Sequence, residues 1–230
     1  MSKTLFILGF PRSGTKLLLQ LLRTHPNISG PNVEVNLAHK ISSLTTDSEF
    51  RSCFEQTTMV NNINENDKNR LRQFFESSSI KSYLSMEKYY SDFLSCISLG
   101  DSELGYVIDK SPRYITHVRH LIKEHPSCKI IHIVRDFKNI ASSHEKVWNK
   151  NIFRVADQWN KSVCSIPEGI SNSSKILTIK YEELVEKPNI FSSKIAKFLD
   201  VTETFDFINV DSKEKHGNVR TKGIISSGAF

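Results

Sequence analysis

Apolar residues along the chain come in two forms: short, nearly unbroken runs, and stretches where they return at helical spacing. The runs are Thr4–Leu8 (TLFIL), Tyr106–Ile108, Lys129–Arg135 (KIIHIVR) and Lys175–Lys180 (KILTIK). Their brevity and β-branched content fit strands buried on both faces, as in a parallel sheet. Helical spacing fills the intervals. Leu18, Leu21 and Leu22 predict a helix from Thr15 to about Thr24, ended by His25-Pro26 because the residue before a proline avoids the helical region. A loop with Gly30 and Pro31 follows, then a second helix. Ser111-Pro112 reads as a cap and first-turn proline opening a helix through Val118, Leu121 and Ile122. Asp136 can cap the next one, with Ile140, Val147 and Trp148 turned inward. Helices over Arg154–Cys164 (Val155, Trp159 and Val163 on one side) and from Pro188 (Phe191, Ile195, Phe198, Leu199) complete the series.

Residues 40–100 are rich in Ser, Asn and Lys, with helical pieces at Lys68–Glu76 and Lys81–Ile97 and a core face of Tyr83, Met86, Tyr90, Leu94 and Ile97. The alternation of strands and helices predicts an α/β fold of three layers: a central, mostly parallel sheet of four to five strands flanked by helices, P-loop-like. The expected organisation is one domain over residues 1–230 with a helical insertion at about 35–103.

Composition adds bounds. The 230 residues suffice for one such domain with a proper core. No apolar run approaches the roughly 20 residues that cross a bilayer. The chain enters a strand almost at once, which leaves no room for a signal peptide, so the cytoplasm is the expected setting. Cys53, Cys96, Cys128 and Cys164 are far apart, with no C-x-x-C pair, and read as reduced thiols rather than metal ligands. A net charge of +6 favours an anionic ligand. A nucleotide suffices, and without a long basic block or an aromatic RNA-binding signature nucleic acid is not expected.

The chemistry gathers where strands run into helices. Thr4–Gln20 (TLFILGFPRSGTKLLLQ) is a strand, a turn broken by Gly9, Pro11 and Gly14, and a helix. In that geometry amides at a helix N-terminus face an anion, and Arg12, Ser13, Thr15 and Lys16 add donors. The spacing of Gly9 and Gly14 matches the ATP-binding loop G-x-x-x-x-G-K-[ST], but Thr15-Lys16 stands in reversed order. Lys16 is therefore turned about 100° around the helix from where that loop needs its lysine, and a cation appears inside the loop instead, as Arg12. Lys110, beyond the second run, and Arg135, ending the third, lie at the carboxyl ends of strands, where open α/β sheets place ligands.

The PRSGT loop resembles the 5′-phosphosulfate loop of the sulfotransferases that use 3′-phosphoadenosine 5′-phosphosulfate (PAPS). IVRDFKNIASS is similar to their 3′-phosphate site, an Arg at a strand end followed by a Ser on the next helix, here Arg135 and Ser143. The resemblance implies sulfuryl transfer from PAPS to a hydroxyl or amine acceptor, leaving 3′-phosphoadenosine 5′-phosphate (PAP) and requiring no metal. It implies Arg12 and Lys110 as stabilisers of the transferring group. Glu34, in a P-x-x-E-like context, would be the catalytic base; a Glu near a helix start, where the macrodipole favours anions, is the plainer reading. Ser13, Gly14, Thr15 and Lys16 would hold the 5′ side, and Tyr181 would lie near the adenine, a core tyrosine being its alternative. Arg220, Lys222 and Gly223 would form a closing loop, one residue out of the family's R-K-G pattern. The rival assignment is a P-loop nucleoside or small-molecule kinase, for which Asp136 would be the Mg²⁺ carboxylate.

Overall fold

The structure is a computed structural model that describes residues 2–57, 63–98, 104–166, 173–202 and 205. Five strands form one sheet in the order β2-β3-β1-β4-β5, and all pair in parallel. They are β1 (Lys3–Leu8), β2 (Ile28–Ser29), β3 (Tyr106–Lys110), β4 (Lys129–Val134) and β5 (Ile176–Lys180). Four are the runs read from the sequence. The fifth, β2, holds two residues on the edge and is too short to carry a period.

Alternation along each strand builds the two faces. Phe6 and Leu8 of β1, Val107 of β3 and Ile130 of β4 point into one core. There they meet Phe50 of α2 (Asp47–Glu55), Phe74 of α3 (Glu65–Ser77), Tyr90 and Phe93 of α4 (Met86–Cys96) and Leu121 of α5 (Val118–Glu124). Leu5, Ile7, Ile108, Ile131 and Ile179 point the other way. They pack on Leu18 and Leu22 of α1 (Thr15–Leu22), Leu184 of α8 (Tyr181–Glu186) and Phe191 and Ile195 of α9 (Pro188–Leu199). Each central strand is apolar on both faces because both are roofed. A smaller cluster of Phe10, Ile140 and Val155 joins the loop after β1 to the hairpin of α6 (Phe137–Trp148) and α7 (Ile152–Val163).

Several local features depart from the sequence reading. The first helix stops at Leu22. The helix expected after Pro31 is one six-residue 3₁₀ segment, Ala38–Ser43. The unpredicted α2 opens with a capping box, the Thr46 hydroxyl taking the Glu49 amide while Glu49 reaches back to the Thr46 amide. In α6, Ile140, Ala141 and His144 are buried, but Val147 and Trp148 are 43% and 44% exposed. The helix outruns the core that its middle covers, so its last turn meets solvent.

One polar network lies inside the aromatic core between the sheet and the insertion. Asp109 is fully buried and accepts hydrogen bonds from Tyr90 (2.7 Å) and Tyr114 (2.6 Å). The Tyr114 hydroxyl in turn accepts from the Ala38 amide (3.1 Å), and the His125 ring donates to the Ala38 carbonyl (3.3 Å). This seam ties the end of β3 to the chain running from Glu34 into the 3₁₀ segment. Burial raises the Asp109 pKa to about 6, against the opposing effect of the tyrosine hydrogen bonds and Lys110. The folded-state value lies above the unfolded one near 3.8, so the stabilisation belongs to the protonated acid and is lost as pH rises from about 4 to 6. Replacing Asp109 by Asn removes that dependence. The stability of Asp109→Asn relative to wild type, from urea midpoints, should therefore rise by about 2 kcal/mol between pH 4 and pH 7; a gap independent of pH would contradict the account.

Candidate functional site

The carboxyl ends of β1, β3, β4 and β5 carry the groups singled out in the sequence. The loop leaving β1 crosses directly over β4: a Cβ on Gly9 would stand 2.4 Å from the Ile133 carbonyl oxygen. Arg12 then takes a left-handed backbone (φ 74°) and Gly14 another (φ 97°), so the chain doubles back before α1 begins. A side chain at Gly14 would meet the Tyr181 ring at 2.4 Å. Glycine is required there by both conformation and space. The Ser13 amide closes the turn onto the Phe10 carbonyl (3.0 Å).

The loop is fastened from two sides. From β4, an Arg135 guanidinium nitrogen donates to the Arg12 carbonyl at 3.0 Å, and the guanidinium carbon lies 4.3 Å from the centre of the Tyr181 ring. From α6, the Ser143 hydroxyl accepts from Arg12 Nε at 2.8 Å, and His144 Nε2 donates to the Pro11 carbonyl at 3.1 Å. His144 also stacks on Phe10, with centroids 5.5 Å apart, and Arg12 lies 5.7 Å over the Trp148 ring. Burial, then the neighbouring charge of Arg135, lowers the Arg12 pKa. Two donors are left inside this arrangement: Ser13 Oγ and Arg135 Nε are buried and have no hydrogen-bond partner among the described residues. A buried donor without an acceptor is costly, so each is a candidate contact for an anionic ligand.

Lys110 ends β3 opposite Ile7 of β1, with its side chain 9% exposed, and its Nζ lies 2.7 Å from Glu34 Oε1. Glu34 is 39% exposed and sits on the chain held by the Tyr114 seam. Ser111 donates to the Asn36 side chain, and its hydroxyl accepts from the Arg113 amide. Thr15 is buried and Lys16 half-buried in the first turn of α1. Asp136 is engaged as the N-cap of α6, accepting from the Lys138 and Asn139 amides.

The structure thus brings Arg12, Ser13, Gly14, Arg135, Ser143 and Tyr181 into one contact set, and pairs Lys110 with Glu34 at the neighbouring strand end. Arg220, Lys222 and Gly223 lie outside the described residues. Sequence reasoning missed His144, Trp148 and Asn36. The signal for His144 was its place on the buried phase of α6, four residues after Ile140.

The Sulfotransferase family model matches residues 4–206, which is most of the chain. The chain belongs to the sulfotransferase family. Among curated proteins it is 22% identical over 214 residues to Protein-tyrosine sulfotransferase 1 of Danio rerio, covering 86% of this chain and 53% of that protein. An uncharacterized protein of Aquifex aeolicus is 28% identical over 142 residues, 62% of this chain and 17% of its own length. The chain therefore spans about half or less of the curated relatives it matches. Among solved structures, the sulfotransferase domain from the curacin biosynthetic pathway superposes with a TM-score of 0.62 at 26% identity, covering 88% of this chain and 75% of that one. The family's fold matches the five-stranded parallel sheet flanked by helices. Gly14→Ala should force Tyr181 and Arg135 off the loop; we expect PAP to lose at least tenfold in affinity by calorimetry while the circular-dichroism spectrum is unchanged. Wild-type affinity in this variant would show that the loop and the end of β4 are not one site.

Proposed function

We propose that the chain transfers a sulfuryl group from PAPS to a hydroxyl or amine acceptor and releases PAP. The contact between Arg135 and the Arg12 carbonyl carries this reading. It joins two cationic strand ends 123 residues apart in the chain into one site, as a nucleotide with an anionic group at each end requires. Ser13 Oγ and Arg135 Nε, buried and without a partner among the described residues, are the donors such a ligand would satisfy. Family membership and the likeness to a protein-tyrosine sulfotransferase support the same chemistry.

In this reading Ser13, Gly14, Thr15 and Lys16 cradle the 5′-phosphosulfate against the N-terminus of α1. Arg135 and Ser143 take the 3′-phosphate, where the guanidinium offers a fork of donors. Tyr181 supports the adenine side. An acceptor oxygen or nitrogen forms its bond to sulfur as the bond from sulfur to the bridging phosphate oxygen breaks. The electron pair leaves on the 5′-phosphate of PAP, where Arg12 meets the growing charge, while Lys110 meets the sulfuryl oxygens. The acceptor proton passes to Glu34. No step calls on a metal. Asp136 is occupied in capping α6, which weakens the kinase alternative.

PAP without Mg²⁺ should raise the melting temperature, and ATP with Mg²⁺ should not; the reverse pattern would establish the kinase. With PAPS and a panel of alcohols and amines, Arg12→Ala should lower turnover far more than PAP affinity, whereas equal losses would reduce Arg12 to a binding contact. Glu34→Gln should slow turnover by about 10² to 10⁴ with PAP affinity retained; full turnover in that variant would remove it as the base.

A further inference from the structure

Seven large apolar side chains are exposed among the described residues, and four of them fall within residues 147–153. Val147 and Trp148 end α6, and Ile152 and Phe153 begin α7, with exposures of 43%, 44%, 52% and 81%. The connection between them is tight. Asn149 takes a left-handed backbone, and the Asn151 side chain accepts from the Phe153 and Arg154 amides. The four exposed apolar groups therefore lie together at the turn of a helical hairpin, beyond the small core of Phe10, Ile140 and Val155, with Trp148 also touching His144 and Arg12. Lys146, Lys150 and Arg154, all exposed, fringe them; Glu145 lies in the same span, and Asp157, one turn further along α7, is paired with Lys161. Lys150 Nζ lies 4.7 Å from the centre of the Trp148 ring.

We propose that this hairpin end docks on an anionic lipid bilayer. Lysine is depleted where two proteins bury apolar surface together. A tryptophan, protruding aliphatic and aromatic side chains and a lysine and arginine fringe is instead the composition of segments that seat at the headgroup boundary. The charge fits the same occupant: the cations meet anionic headgroups while Ile152 and Phe153 enter beneath them. Trp148 links the tip to Arg12, so docking would set the site described above close to headgroup depth. The docking surface itself does not depend on sulfuryl transfer, and the two proposals fail separately.

The full chain is mixed with vesicles of phosphatidylcholine alone or with about a third phosphatidylserine, and binding is read by sedimentation and tryptophan fluorescence. The chain has two tryptophans, so a Trp159→Phe variant reports Trp148 alone. We expect binding to the anionic vesicles with a blue shift of Trp148, falling steeply as salt rises from about 0.1 to 1 M and the screening length shrinks from about 10 to 3 Å. Phe153→Asp or Ile152→Asp should weaken binding at least tenfold, and Lys146→Ala or Lys150→Ala about fivefold each, with the PAP-induced melting shift unchanged in all four. Three results would overturn the proposal: no binding to anionic vesicles; undiminished binding by Phe153→Asp, which would leave only diffuse basic attraction; or self-association abolished by Phe153→Asp without vesicle binding, which would make a second copy the occupant.

Discussion

The site rests on the backbone of Arg12. A non-glycine residue at φ 74° is uncommon and costs energy unless its surroundings fix it. Here they do so from opposite sides, through Arg135 on its carbonyl and Ser143 on its side chain. The turn at Arg12 puts a cation inside the loop where the ATP-binding pattern has none. Removing either support would release the strain by letting the residue return to an ordinary conformation, and the guanidinium would swing away with it.

The sheet order explains why these supports converge. With β1 central, its loop lies between the ends of β3 and β4, and the chain leaves β1 toward one side before crossing to the other. Such a reversal opens a crevice at the carboxyl edge of the strands. Lys110 and Arg135 flank that crevice because they end the two strands that neighbour β1. Nothing in their local sequence sets the distance between them; the hydrogen-bonding register of three strands does.

That division also marks what the sequence could show. The PRSGT turn, the KIIHIVR strand and the spacing of Arg135 and Ser143 are local patterns, each governed by a few residues, and the fold class follows from the alternation of such pieces; that Ser143 bonds Arg12 is not local. The capping box at Thr46 and Glu49 is equally local. The Asp109 network was not readable, because its partners stand 19 and 5 residues away and the next link, from Tyr114 to Ala38, spans 76. Trp148 failed for a different reason. Its helical phase is right, four residues after His144, but periodicity does not say how far a core extends beneath a helix. The helical region between β2 and β3 is opaque in the same sense: its aromatic residues announce a core and nothing more.

The contact between Gly14 and Tyr181 has a bearing on the order in which the molecule matures. Residues 9–14 leave the ribosome early, but the ring that braces them belongs to the segment just after β5, the last strand of the sheet to be synthesised. A nascent chain lacking it has the glycine turn without its brace. The loop and the ring that braces it therefore come together only after most of the sheet has been synthesised.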